Sequence, residues 1–139
     1  MMAVRRGHMV HIESNGTLSN PDLFHTEVFQ AFETGAIAIV CSPKTETIHK
    51  DLTKFIKAFK YVLNYDSIDP ADGLPRTVLE NGTLPVAKPF NVLPENVYLQ
   101  PAETNDPDRN KKNLDACIHS CMKFGYTLSL QIHKLVGLE

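Results

Sequence analysis

Lys44 is well placed for chemistry in this chain of 139 residues, because it follows the apolar run 36–41 through Ser42-Pro43 and so stands at the end of a strand-like segment. There its amine can hold a carboxylate or a phosphate, or, if desolvated, form a Schiff base with a carbonyl substrate. Spacing alone does not choose. Ser42 and Asn15 offer short hydrogen-bonding groups that suit ribose or amino-acid moieties, and capping of its own turn is the competing role for Asn15. Gln100-Pro101 closes the fourth strand-like run, and Gln131-Ile132-His133-Lys134 lies near the end of the chain. Glu13 sits within a strand-like run and needs a partner if it is buried.

The elements that must carry these groups follow from periodicity. His8 to Glu13 alternates as a strand and ends in the turn-like Ser14-Asn15-Gly16-Thr17, after a stretch, Met1 to Gly7, that reads as the last turn of a helix. Asn20 as N-cap and Pro21 as first helical residue open a helix with Phe24, Val28, Ala31 and Phe32 on one stripe, stopping at Gly35. Residues 36–41 form a continuous apolar run, which predicts a parallel strand buried on both faces. Leu52, Phe55, Ile56 and Phe59 follow helical spacing, and 60–65 reads as the next strand. Ser67 to Pro94 is rich in Gly and Pro and reads as a long connection. Val97 to Pro101 is a strand, ended by Pro101 through its missing amide donor. Asp106-Pro107 opens the final helix, with the stripe Leu114, Cys117, Ile118, Cys121 and Met122 and a C-terminal cap at Gly125. Leu128 to Lys134 alternates apolar with polar residues and is expected as a last strand running out towards Glu139.

Alternating strands and helices of this kind predict an α/β domain with a mostly parallel sheet, and in such sheets ligands bind beyond the C-terminal ends of the strands. The polar clusters at Asn15, Ser42–Lys44, Gln100-Pro101 and Gln131–Lys134 all fall on that rim.

Composition bounds the rest. With 42% hydrophobic and 22% charged residues the chain fits one domain, and a net charge of -2 without a basic stripe argues against a nucleic-acid partner. No apolar run reaches membrane-spanning length and no secretory signal is visible, so the expected location is cytoplasmic. Cys41, Cys117 and Cys121 are an odd set, expected as reduced thiols. Cys117 and Cys121 share a helical face, but they lie in an apolar stripe with no complementary Cys/His pair at zinc spacing, so no metal site is assigned to them.

Taken in order, Ile12-Glu13-Ser14-Asn15-Gly16-Thr17, Ser42-Pro43-Lys44, Lys60-Tyr61-Val62, Asp72-Gly73-Leu74-Pro75, Leu99-Gln100-Pro101 and Leu128 to Lys134 resemble the C-terminal part of the 7-carboxy-7-deazaguanine synthases, radical S-adenosylmethionine enzymes of queuosine and deazaguanine biosynthesis. The resemblance implies a partial TIM-like (βα) barrel that converts 6-carboxy-5,6,7,8-tetrahydropterin to 7-carboxy-7-deazaguanine with loss of ammonia. It implies that Ser42, Pro43, Lys44, Gln100, Pro101, Ala102 and Glu103, with Asn15, line the S-adenosylmethionine site. It also implies that Gln131, His133 and the terminal carboxylate of Glu139 hold the pterin. The family further uses a 4Fe-4S cluster on a Cys-x3-Cys-x2-Cys motif, a Gly-Gly-Glu-Pro stretch and Mg2+. This sequence contains neither motif.

The chain is therefore expected to be a portion of the enzyme that binds ligands without turning over alone, completed by a missing N-terminal half or paired as a homodimer through an open strand edge. Two other readings stand beside it: a non-catalytic nucleoside- or pterin-binding module, and an aldolase-like lyase using Lys44.

Overall fold

The computed structural model describes residues 7–78 and 81–137. Strand β1 (Val10–Ser14) leads through a 3-10 turn (Pro21–Phe24) into helix α1 (Thr26–Glu33), and β2 (Ile37–Cys41) follows. After a second 3-10 turn (Lys50–Leu52) comes β3 (Ile56–Leu63), then the short strands β4 (Thr77–Val78) and β5 (Asn81–Pro85). A third 3-10 turn (Pro94–Asn96) leads to β6 (Val97–Pro101), α2 (Pro107–Phe124), β7 (Thr127–Leu128) and the helical turn α3 (Ile132–Leu135).

Five strands form one sheet in the order β1-β2-β3-β6-β7, with every neighbouring pair parallel. The α/β class and the mostly parallel sheet are thus as the sequence predicts. β4 and β5 form a separate antiparallel pair inside the expected long connection. Among the described residues no helix is long and apolar enough to cross a membrane.

Several local expectations hold. Asn20 caps the first turn by accepting from the Asp22 amide, and Asp106 caps α2 by accepting from the amides of Asp108 and Arg109. Gly125 ends α2 in the left-handed conformation at φ 79°, where a glycine pays no Cβ penalty.

Four expectations are corrected. The helix opened by Asn20 is two pieces, because His25 is extended (φ -62°, ψ 138°) between the 3-10 turn and α1. The helical spacing of Leu52, Phe55, Ile56 and Phe59 arises from two elements instead: Leu52 ends a 3-10 turn, and Ile56 already begins β3. Parallel pairing fixes the outcome, since Ile56 and Phe59 align with Ile39 and Cys41 of β2, and Phe59 to Leu63 align with Val97 to Pro101 of β6. β2 is buried on one face only: Ile37, Ile39 and Cys41 are buried, whereas Ala38 and Val40 are half-buried on a face that no described element covers fully.

The fourth correction concerns the last strand. Only Thr127 and Leu128 pair with β6, and residues 132–135 are helical, not extended. The Ser129 amide donates to the Leu99 carbonyl at 2.8 Å, so the next rung of a parallel ladder would need an amide from Pro101. Proline has none, and the chain leaves the sheet.

The core lies between the buried sheet face and the helices. Phe59, Leu63, Leu99, Val97, Cys41 and Cys117 are among its most enclosed side chains, packed with Phe32 and Phe55 from the α1 side. Burying such apolar side chains stabilises the fold by about 1.5–3 kcal/mol each.

Candidate functional site

Besides a hollow of about 310 Å³ lined by Val62, Asn64, Asp66, Ser67 and Thr77, the C-terminal rim of the sheet carries two smaller hollows on either side of β3. The larger, about 200 Å³, is lined by Gln100, Pro101, Ala102 and Glu103 after β6, by Asn110 and Leu114 of α2, and by Leu130 and Gln131 after β7. The smaller, about 50 Å³, is lined by Ser42, Pro43 and Lys44 after β2, together with Lys60, Tyr61 and Val62 of β3 and residues of the β3–β6 connection. All these ends point the same way in the parallel sheet, and β6 runs on beyond the end of β2, because Ser14 aligns with Cys41, Cys41 with Phe59, Phe59 with Val97 and Val62 with Gln100.

Most of the residues singled out in the sequence therefore share a rim, in two groups. Gln131 joins the Gln100–Glu103 group, whereas His133 lies exposed on α3 and lines neither rim hollow. Glu139 lies outside the described residues. Asn15 is exposed, and its side-chain oxygen accepts from the Thr17 amide at 3.0 Å and the Thr17 hydroxyl at 2.7 Å, which is the turn-capping role weighed above.

The walls of both hollows are braced from behind. The Tyr61 hydroxyl donates to the Ala87 carbonyl at 2.8 Å in the interior, tying β3 to the segment after β5. Burial drives the Tyr61 hydroxyl far above the ordinary phenol range, so it stays a neutral donor. Fully buried Asn113 of α2 donates to the Ala102 carbonyl at 2.8 Å and accepts from the Tyr65 amide at 2.9 Å.

Sequence reasoning missed a further hollow, on the uncovered sheet face. It measures about 430 Å³ and is lined by His11, Glu13, Val40, Lys60, Tyr98 and Ser129 among others. Lys60 also lines the smaller rim hollow, so the rim and the face meet at that side chain. Glu13 finds its partner here, with its Oε1 at 3.6 Å from Lys60 Nζ. The signal was present as polar residues at period two in β1 (His11 and Glu13) and as Lys60 in β3.

The thiols behave as packing groups. Burial pushes Cys41 up to about 11 and Cys117 up to about 12, and it raises Cys121 as well. Among the described residues no group of three or more His, Cys, Asp or Glu side chains converges as a metal site would require.

The chain is 37% identical over 141 residues to the 7-carboxy-7-deazaguanine synthase of Rhodospirillum rubrum, a match covering 96% of this chain and 55% of that protein. It is 30% identical over 136 residues to the 7-carboxy-7-deazaguanine synthase of Rickettsia prowazekii, covering 94% of this chain and 48% of that protein. The chain belongs to the 7-carboxy-7-deazaguanine synthase family. It corresponds to the C-terminal part of these synthases and spans about half the length of the curated relatives it matches. No protein-family model and no solved structure matches it.

Proposed function

We propose that this chain is the ligand-binding C-terminal portion of a 7-carboxy-7-deazaguanine synthase, with the sheet's C-terminal rim receiving S-adenosylmethionine, and with Gln131, His133 and Glu139 receiving 6-carboxy-5,6,7,8-tetrahydropterin. The observation that carries this reading is the hollow that joins Gln100–Glu103 to Gln131, one strand away from Ser42–Lys44 on the same rim. On the same reading the parallel sheet is a segment of a TIM-like barrel.

The side chains available suit the cofactor. S-adenosylmethionine presents a carboxylate, an ammonium, ribose hydroxyls and an adenine ring. Lys44 and Glu103 offer one charge of each sign, Ser42 and Gln100 offer neutral hydrogen-bonding groups, and Pro101, Leu114 and Leu130 offer apolar surface for a ring. Bound in a complete enzyme, S-adenosylmethionine supplies the radical chemistry; what these residues do is hold and orient it. The larger hollow is smaller than the roughly 300–1,000 Å³ usual for ligand pockets, so an occupant of that size spans more than one hollow.

The cysteines do not suit an iron-sulfur cluster. A cluster needs thiolates, whereas burial keeps Cys41 and Cys117 protonated at neutral pH, and the three cysteines of this sequence lack the Cys-x3-Cys-x2-Cys spacing. We therefore assign binding to this chain and no radical initiation.

Calorimetric titration of the chain with S-adenosylmethionine under iron-free conditions tests the reading. Heat of binding that is lost in Lys44→Ala and in Gln100→Ala supports it, and a silent titration of the wild type overturns it. A second reading, a non-catalytic nucleoside- or pterin-binding module, rests on the same rim hollows in a sequence without the cluster motif. Binding without turnover after a complete cluster-bearing N-terminal half is supplied would select that reading.

A further inference from the structure

Two asparagines on α2, one helical turn apart, hold the segment between β6 and α2 from behind. Asn113 is fully buried, and its orientation is unique: the Tyr65 amide can only donate, at 2.9 Å, and the Ala102 carbonyl can only accept, at 2.8 Å. One side chain thus links the ends of β3 and β6. Asn110, on the same side of the helix, makes three bonds to Thr104. Its oxygen accepts from the Thr104 amide at 2.7 Å and the Thr104 hydroxyl at 2.9 Å, and its nitrogen donates to the Thr104 carbonyl at 2.9 Å. The segment so pinned, Pro101 to Glu103, is one wall of the 200 Å³ hollow, and Asn110 itself lines that hollow.

We infer that Asn110 and Asn113 are positioning residues for the ligand site, fixing the Gln100–Glu103 backbone at the geometry its ligand requires; this rests on the S-adenosylmethionine reading given above. Ala102 bonds back to the Leu63 carbonyl, but Pro101 has no amide to give, and Asn105 and Asp106 are exposed. A binding wall set by a few backbone rungs loses affinity when it shifts by a fraction of an ångström.

The test compares Asn110→Ala, which removes all three bonds to Thr104, with Asn110→Asp, which keeps both accepted bonds and sets a solvent-screened carboxylate oxygen against the Thr104 carbonyl in place of the donated one. Asn110 is half-buried, so both proteins are expected to fold, whereas Asn113→Asp sets a carboxylate against the Ala102 carbonyl and serves as a second variant if it folds. S-adenosylmethionine binding is measured by calorimetry on the full chain, with thermal midpoints recorded for each protein. Val28→Ala, in α1 away from the rim, controls for loss of stability alone.

The expected result is binding weakened about tenfold or more in Asn110→Ala, partly restored in Asn110→Asp, and unchanged in Val28→Ala at a similar loss of thermal midpoint. Wild-type binding with equal affinity in Asn110→Ala overturns the positioning role and leaves the functional reading intact. A wild type that does not bind overturns the functional reading, and the positioning role with it.

Discussion

Glu13 of β1 and Lys60 of β3 meet across β2, with their charged atoms 3.6 Å apart on the uncovered face of the sheet. Glu13 is 69% exposed and Lys60 27%, so water screens the pair from one side. A double-mutant cycle with Glu13→Gln and Lys60→Met is expected to give a coupling of about 0.2–1 kcal/mol that shrinks in high salt. A coupling several times larger, unaffected by salt, would mean the face is covered in solution.

The brace behind the smaller hollow gives a sharper effect. Tyr61→Phe leaves the Ala87 carbonyl without its buried donor and should destabilise the protein by about 1–3 kcal/mol in urea unfolding. Because Ala87 also donates to Thr45, just past Lys44, the same variant should weaken ligand binding at Ser42–Lys44. Unchanged stability would show the hydroxyl to be dispensable.

Gly73 is predicted to reject any side chain. Its φ is +71°, and an added Cβ would lie 2.5 Å from the Phe124 ring and 2.9 Å from the Ser120 hydroxyl. Gly73→Ala should cost about 1–3 kcal/mol from the overpacking, in addition to the left-handed backbone. Gly35→Ala shares a positive φ of +75° but meets nothing within 4 Å, and it should cost only the smaller conformational term. Chemical denaturation of the two variants side by side measures the difference.

The buried thiols impose a pH dependence. Cys41 and Cys117 are raised from 9.0 to about 11 and about 12 by desolvation, so the folded protein holds their protons more tightly than the unfolded chain. Their contribution is fully present below pH 9 and is lost as pH rises through 11 and 12. Urea unfolding at pH 8 and near pH 10.5 should therefore show a decline that is reduced in Cys41→Ala relative to its own value at pH 8. At pH 8, half-buried Cys121 should react with a thiol reagent before the other two.

The sheet was legible where its signals were local. Proline and capping residues placed the limits of β6 and α2 in advance: Pro101 carries its reason in its own ring, and Asp106 and Gly125 carry theirs in the caps they form. Phe55 and Ile56 misled because an apolar cluster at helical spacing also arises where a turn feeds a strand, and only pairing partners far away in sequence separate the two cases. On α2 the apolar stripe held only in part: Cys117 is buried and Cys121 packs against the core, but the stripe is rotated from the buried face. Met122 is 83% exposed, while the buried positions are Asn113, Cys117 and Ser120. No propensity scale puts an asparagine at the centre of a helix's buried face; it sits there because the ends of β3 and β6 leave one amide and one carbonyl for it to join. The rim clusters were legible as strand ends, but their division between the two sides of β3 depends on the sheet keeping the order of the chain with β4 and β5 set apart as a separate pair, which no local signal marks.

Pro101 does more than end a strand. By withholding one amide it stops the zipping of β7 along β6, and residues 129–131 are released over the rim, where Leu130 and Gln131 form a wall of the larger hollow. The opening thus depends on an interrupted seam: an amide restored at position 101 would let the seam run on by a rung and draw Gln131 away from its place beside Gln100. A missing hydrogen keeps the mouth of the hollow open.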